Sequence, residues 1–296
     1  MTRKDWSDLG KGMAFLAPWL AGFLVFLALP MALSLYYSLC DYAVTRSDAP
    51  VVFRGLNNYH ELMGDPLFWR ALANTLYYAA MALPAGMLVS LGMALLLNMR
   101  IKGQGLYRTI VFLPSLAPVV VSAMIWLWLF NTHDGLINHV LRLAHLPAPA
   151  WLADERWAMP ALALMSLWGV GHTAVIYLAG LQDVPRELYE AADIDGASAW
   201  QRLRHVTLPM ISPVIFFNLV IAVIGVLQVF AIPQIMTGGG PKHATYFYVM
   251  YLYDNAFSYM RMGYASAMAW ILLLLILALT ALAFWSSKKW VHYQGK

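Results

Sequence analysis

The side chains whose types and spacing indicate specific chemistry lie in one polar segment, residues 182–209. Three carboxylates, Glu190, Asp193 and Asp195, could pair with basic residues of another protein. Alanines lie between and after them, so another surface could approach the backbone closely. A short helix that docks in a groove of a partner is a common mode of recognition. The residues of this segment therefore favour docking, and a solvated loop helix without a partner fits them equally well.

Few residues of this chain are candidates for catalysis or for ion coupling. His133, His139 and His145 are six residues apart and do not share a helical face at the spacing of metal ligands. The longest apolar runs contain no Lys, Arg, Asp or Glu, whereas ion-coupled carriers usually place such groups within the bilayer. His172 is the one ionisable group of note in these runs. The residues therefore argue against a membrane-embedded enzyme and against an ion-driven carrier.

The sequence also lacks the usual nucleotide-binding and disulfide signatures. No G-x-x-x-x-G-K-[ST] phosphate-binding loop is present, and GGGPKHA at 238–244 has the wrong spacing. The single cysteine, Cys40, excludes a disulfide within the chain. The net charge is +4, but the basic residues are dispersed over short loops, which argues against nucleic acid as a partner.

The elements that must position these residues are apolar. The chain is 61% hydrophobic and 11% charged, whereas soluble domains are about 45–50% apolar and about 25% charged. Each of six charge-free runs is near or above the ~20 residues that cross the hydrocarbon core. The pattern predicts an all-α polytopic membrane protein with six transmembrane helices, at 13–39, 73–97, 109–131, 157–181, 210–235 and 263–285.

The polar segment itself predicts two short helices joined by a turn. Pro185 suits the first turn of the first helix, and Gly196 permits a tight stop. Ser198 followed by Gln201 is a capping-box pattern that favours a second helix. The helix pair would lie against one face of the membrane.

Charge asymmetry predicts the orientation. Of the 19 Lys and Arg residues, twelve flank the spans on the side that holds both termini and the segment 182–209. This side also has less loop sequence. Because cytoplasmic loops carry an excess of Lys and Arg, both termini are predicted to be cytoplasmic.

One gapped pattern in the polar segment resembles a known motif. Glu190-Ala191-Ala192, Gly196 and the run 206–209 (VTLP) are similar to the EAA motif of binding-protein-dependent ABC import permeases. The spacing matches throughout, with Val206 in place of Ile. Residues 112–131, 135–138 and 237–241 resemble the carbohydrate-uptake branch, and within it the larger membrane subunit of the maltose-transporter type. Unlike that subunit, this chain has no large outward domain between its early spans.

The resemblance implies a type I ABC importer transmembrane-domain fold. Residues 1–72 would form the first helix and an outer segment, with a short interfacial helix within 54–72. Residues 73–285 would form the transmembrane domain, a five-helix core with the coupling loop 182–209. Residues 286–296 would form a cytoplasmic tail.

The resemblance also implies partners. The chain would be a permease subunit, not an enzyme, in the plasma (cell inner) membrane with lipid around it. It would work with a second homologous permease subunit, two ATPase subunits that hold ATP and Mg, and an extracytoplasmic substrate-binding protein. No cofactor would bind to this chain. The residues expected to contact the ATPase are Glu187, Tyr189, Glu190, Ala191, Ala192, Asp195, Gly196, Leu208 and Pro209.

Matching to the maltose-type subunit also implies a sugar path along the fourth and fifth spans. A flat indole such as Trp168 suits the apolar face of a sugar, and His172 and Gln228 suit its hydroxyls. Simple helix packing is the alternative for each residue. The implied path is lined by Met165, Trp168, Gly169, His172, Ala222, Gly225, Val226, Gln228 and Val229.

The substrate class stays open between two candidates. A neutral sugar or oligosaccharide is favoured because the spans hold no Lys or Arg. Glycerol phosphate or another polyol-type solute is the alternative, although a phosphate dianion would favour such cations near the cavity. On the predicted outer side, the glycine-rich segment 237–247 is expected to be flexible around its three glycines. Contact with a soluble binding protein and a plain loop without a partner fit its residues equally well.

Overall fold

The computed structural model describes residues 3–43, 51–99 and 102–292, with side chains from residue 11 onward. A two-stranded antiparallel ribbon is formed by β1 (Cys40–Asp41) and β2 (Val52–Phe53). The α-helices of the described residues are α1 (Arg3–Phe23), α2 (Leu29–Ser38), α3 (Asn57–Met63), α4 (Pro66–Asn98), α5 (Gln104–Phe112), α6 (Val119–Leu129), α7 (Leu136–Leu143), α8 (Glu155–Ser166), α9 (Gly171–Gln182), α10 (Arg186–Ile194), α11 (Ala199–Arg202), α12 (Leu208–Met210), α13 (Ser212–Leu227), α14 (Ala231–Met236), α15 (Tyr248–Tyr253) and α16 (Met262–Ser287).

Three helical stretches are long and apolar enough to cross a membrane: Lys11–Ser38, Pro66–Asn98 and Met262–Ser287. The first continues from α1 into α2 through a π-helical turn at Leu24–Ala28. Three bent helix pairs also pass the same test of length and composition. Counted as one span each, they bring the total to six, so the predicted all-α membrane fold is confirmed.

The bends are where the predicted runs differ from the structure. The third run, 109–131, is not one straight helix, because Gln104–Leu116 and Val119–Leu129 meet at 97°. Ala117 lies in the extended region, as expected for a residue that precedes a proline. In the fifth run, 210–235, α13 ends at Leu227 and the short helix α14 follows. The fourth run, 157–181, is bent by 50° between Glu155–Gly169 and Gly171–Gln182. None of these three runs is therefore one straight helix.

The chain packs as two compact units. The first contains the described residues of Met1–Asp65 together with Leu252–Leu273. Here the side-chain amide of Asn58 donates to the carbonyl oxygens of Ser38 (2.8 Å) and Cys40 (2.9 Å), which ties α3 to the end of α2. The predicted short helix within 54–72 corresponds to α3, and α4 begins at Pro66.

The second unit contains Pro66–Tyr251 and the described residues from Leu274 onward. Its central helix, α4, packs against α8, α9 and α13. At one end of this packing lies a buried cluster, which we call the base cluster: Ala94, Leu97, Tyr177, Leu178, Leu181, Val184 and Ile211. The proposed domain boundary at residue 72 stays a prediction, and residues 293–296 of the predicted tail lie outside the described residues.

Candidate functional site

The polar segment forms the predicted pair of helices, and the first of them ends in a Schellman motif. The N–H of Gly196 donates to the carbonyl oxygen of Asp193 (3.1 Å), and the N–H of Ala197 donates to that of Ala192 (2.9 Å). Gly196 has φ +73°, a conformation that an L side chain adopts only with strain. A Cβ added at Gly196 would meet no atom of this chain within 4 Å. The turn predicted at this glycine is confirmed.

The second helix begins with the predicted capping box. The backbone N–H of Ser198 donates to Oε1 of Gln201 (2.7 Å), and the backbone N–H of Gln201 donates to Oγ of Ser198 (3.4 Å). An ion pair between Arg202 and Asp193 bridges the two helices. These local bonds give the segment 186–209 a defined shape, and we call it the coupling segment.

The coupling segment is anchored to the membrane helices by its inward side chains. The hydroxyl of Tyr189 lies 3.0 Å from Oγ1 of Thr207, which joins the two ends of the segment. Tyr189, Val206 and Leu208 pack against the base cluster. Tyr189, expected to contact an ATPase, therefore packs within its own chain, and Leu208 and Pro209 are half-buried.

The opposite side of the coupling segment is exposed and partly apolar. Ile194 is 87% exposed and Trp200 is 66% exposed, which is unusual for large apolar side chains in water. The predicted coupling residues Glu187, Glu190, Ala191, Asp195 and Gly196 are also exposed, and Ala192 is half-buried. Between the two helices lies a groove of about 350 Å³, lined by Ala192, Asp195, Gly196, Ala197, Gln201, Arg202, His205 and Val206. This side could accept another surface.

A cavity of about 290 Å³ lies among the helices of the second unit. Five residues of the predicted substrate path line it: Gly169, Ala222, Gly225, Val226 and Val229. The remaining lining residues are Tyr78, Ala82, Leu83, Gly86, Met87, Ser166, Val170, Thr173 and Asn218. We call this space the central cavity.

The central cavity has an uncharged lining with several hydrogen-bonding groups. Its lining residues include no Lys, Arg, His, Asp or Glu. The amide of Asn218 donates to the carbonyl oxygen of Val214 (2.9 Å), and the hydroxyl of Ser166 donates to that of Ala163 (2.6 Å). Tyr78 is 3% exposed, and its ring packs edge-on against Phe247 at 5.1 Å between centroids. Such a lining suits a neutral polar solute.

The other four residues of the predicted path do not line the central cavity. Met165 is buried, with 4% exposure. The ring of Trp168 packs edge-on against Trp126 at 5.7 Å, and the ring of His172 lies 6.5 Å from that of Phe112. Gln228 is exposed just after the end of α13. Their role in a substrate path stays a prediction.

Sequence reasoning missed the contribution of α4 to the central cavity. Tyr78, Ala82 and Gly86 are each four residues apart and therefore share one helical face. That spacing of small residues with one tyrosine was a usable signal within the second charge-free run. It could have indicated a face against which other helices or a solute approach closely.

The glycine-rich segment 237–247 makes several hydrogen bonds within its unit, and its expected flexibility stays a prediction. The hydroxyl of Thr245 donates to Oγ1 of Thr237 (2.7 Å), and the amide of Asn74 donates to the carbonyl oxygens of His243 (2.8 Å) and Tyr246 (3.0 Å). Gly239 has φ +85°, and an added Cβ would lie 2.6 Å from the Tyr246 ring. The loop therefore requires glycine for packing as well as for backbone conformation.

Comparisons with known proteins agree with this geometry. Residues 69–292 match the family model described as binding-protein-dependent transport system inner membrane component. The chain is 35% identical over 280 residues to the sulfoquinovosyl glycerol transport system permease protein SmoG of Agrobacterium fabrum (93% of this chain, 91% of the relative). It is 34% identical over 246 residues to the sn-glycerol-3-phosphate transport system permease protein UgpA of Pectobacterium atrosepticum (82% of each chain).

A solved structure is similar over nearly the whole length. It is a chain of a bacterial alginate ABC transporter in complex with a periplasmic protein that holds an alginate pentasaccharide. The TM-score is 0.83 at 25% identity, over 97% of this chain and 96% of the other.

Proposed function

This chain belongs to the family of binding-protein-dependent transport system inner membrane components, and we propose that it is the permease subunit of an ABC importer for a sugar or oligosaccharide. The observation that carries the proposal is the central cavity, which lies among the membrane helices and has an uncharged, partly polar lining. Sugars are recognised by aromatic faces and neutral hydrogen-bonding groups. Tyr78, Ser166, Thr173 and Asn218 are groups of this kind.

In this proposal the chain translocates the solute by alternating access and does not itself hydrolyse ATP. A second homologous permease subunit completes the path, and an extracytoplasmic binding protein delivers the sugar. Two ATPase subunits hold ATP and Mg, and each permease receives their movement through its coupling segment. The coupling segment has an exposed face around Ile194 and Gly196, where another subunit could press on it. Its inward side chains Tyr189 and Leu208 pack against the base cluster and could pass this movement to the helices.

The decisive experiment is reconstitution of the full complex in proteoliposomes. We expect ATP hydrolysis to rise when the binding protein is added with its neutral saccharide, and solute to accumulate inside the vesicles. The chain reconstituted alone is the control, and it should move no solute. Solute movement by the chain alone, up or down a gradient, would contradict the proposal.

Glycerol phosphate is the second candidate substrate, because one relative is named for sn-glycerol-3-phosphate. The uncharged lining of the central cavity favours a neutral solute, since a phosphate dianion would require cationic groups or several donors. The same vesicles distinguish the two candidates by competition between unlabelled glycerol phosphate and the labelled saccharide. Complete competition by glycerol phosphate would make this second candidate the better one.

We also propose that both termini and the coupling segment face the cytoplasm. The coupling segment offers Ser198, and the predicted outer side offers Ser258; both side chains are exposed. In a Cys40→Ser background, a cysteine at position 198 should react with a membrane-impermeant maleimide only in inverted vesicles. A cysteine at position 258 should react only in intact cells, and the reverse pattern would overturn the orientation.

A further inference from the structure

In the second unit, another groove lies between α5 and α9 and shares no lining residue with the central cavity. Its volume is about 400 Å³. Most of its wall is apolar, with two polar side chains and one guanidinium. The lining residues are Arg108, Thr109, Phe112, Val175, Leu178, Ala179 and Gln182.

Arg108 is the charged residue of this groove, and one of its hydrogen-bond donors has no acceptor. Its Nε atom is buried and has no hydrogen-bond partner. Among the ion pairs of the described residues, none involves Arg108. A buried donor without an acceptor is costly, and it is more costly on a charged group. The buried Nε atom is out of reach of a ligand, but the Arg108 side chain lines the groove, and no carboxylate of the described residues forms an ion pair with its guanidinium.

The groove also lies at the boundary between polar and apolar sequence. Arg108 immediately precedes the charge-free run 109–131, and Gln182 immediately follows the run 157–181. The polar end of the groove thus lies where two spans leave the hydrocarbon, and the wall formed by Phe112, Val175 and Ala179 extends into the spans. Basic pockets between transmembrane helices at this level are suited to lipid headgroups.

We propose that this groove binds one phospholipid with an anionic headgroup. The headgroup phosphate accepts hydrogen bonds from the Arg108 guanidinium, and an acyl chain lies along Phe112, Val175 and Ala179. Only three residues separate the end of α9 from the beginning of α10. The bound lipid therefore packs against α9, the helix that leads into the coupling segment. This inference requires insertion in a membrane but does not depend on the proposed transport function.

The test measures lipid retention by the full-length purified chain. Nanodiscs of phosphatidylglycerol or of phosphatidylcholine are extracted with detergent, and bound lipid is counted by native mass spectrometry. We expect the wild-type chain to retain phosphatidylglycerol, and Arg108→Gln to bind it about ten-fold more weakly, since a charge-assisted hydrogen bond is lost. Lys102→Gln is the matched control, because it removes a nearby cation in the turn before α5, and Lys102 does not line the groove. The control should retain lipid like the wild type.

A second variant tests the acyl-chain wall without changing the charge. Ala179 is exposed within the groove, so Ala179→Trp should fill it and lower retention of phosphatidylglycerol by a similar factor. Unchanged retention in both Arg108→Gln and Ala179→Trp would overturn the proposal. Competition by millimolar inorganic phosphate, with no preference between the two lipids, would also overturn it and indicate a site for free anions.

Discussion

The coupling segment and the central cavity belong to one unit and are built in opposite ways. The coupling segment is held by bonds between residues at most 18 positions apart, from the Schellman turn to the Tyr189–Thr207 contact. The central cavity brings together residues from Tyr78 to Val229, on helices that are distant in sequence. The first is formed by neighbouring residues at the surface, and the second is lined by several helices. A surface element can thus obtain its shape from local bonds, whereas a cavity lined by several helices requires the assembled helix packing.

This contrast predicts separable effects of mutation. Changes on the exposed face of the coupling segment should disturb communication with another subunit while the fold persists. Changes in the lining of the central cavity should reduce solute transport, while communication with another subunit persists. The following variants are ordered from the largest expected effect to the smallest.

Gly196→Asp should have the largest effect. Because an added Cβ meets no atom of this chain, the cost within the chain is backbone strain of about 1–2 kcal/mol. We expect the complex to assemble but to lose substrate-stimulated ATP hydrolysis by at least about ten-fold, as a charge is forced into the contact. Stimulated ATP hydrolysis and co-purification are the measurements.

The matched control for this variant is Gly103→Asp. Gly103 has φ +78°, and the nearest atom to an added Cβ is 4.0 Å away, so its backbone strain is similar. It lies outside the coupling segment, and its ATP hydrolysis should stay near that of the wild type. An equal loss in both variants would show that strain alone explains the effect.

Gly225→Leu should reduce solute transport rather than ATP hydrolysis. Gly225 lines the central cavity, and nothing lies within 4 Å of an added Cβ, so the larger side chain fills the cavity without a clash at that atom. We expect transport to fall about ten-fold, while basal ATP hydrolysis stays unchanged. Gly92→Leu on α4 is the control, because Gly92 is equally open but does not line the cavity. Normal transport by Gly225→Leu would exclude the cavity from the path.

Tyr189→Phe should have a moderate effect on stability. It removes the 3.0 Å contact with Thr207 but keeps the ring that packs on the base cluster. We expect the free energy of unfolding to fall by about 1 kcal/mol, as for one hydrogen bond. Thermal unfolding of the purified chain measures it, with Tyr107→Phe as the exposed control. If the two variants unfold alike, the contact with Thr207 does not stabilise the segment.

Lys242→Gln should have the smallest effect. Lys242 and Glu155 form an exposed ion pair at 2.8 Å, and hydrogen bonding to Glu155 raises the pKa of Lys242 above its ordinary value of 10.5. A raised lysine pKa contributes stability below pH 10.5, which is lost as the pH rises through the folded value. We expect no measurable change in thermal stability at neutral pH, because exposed pairs contribute little. A clear loss at neutral pH would show that this pair stabilises the loop that contains Lys242.

The fold class was predictable because the bilayer imposes a simple rule on sequence. A run of about 20 residues without charge has few alternatives to a spanning helix. The turn at Gly196 and the capping box at Ser198 were predictable because both depend on residues within one or two turns. The breaks at Ala117, Val170 and Leu227 were not predicted, because apolar composition continues across them.

The sequence by itself determined the spans, the two short helices of the coupling segment and the absence of charge in the spans, since each depends on neighbouring residues or on the solvent. Only the tertiary structure decided that Tyr78 and Gly86 of α4 face the central cavity and that Trp168 and His172 do not line it. It also decided that Tyr189 packs inward. The physical reason is that helical periodicity determines which residues share a face, while the neighbour of each face is determined by packing between distant helices.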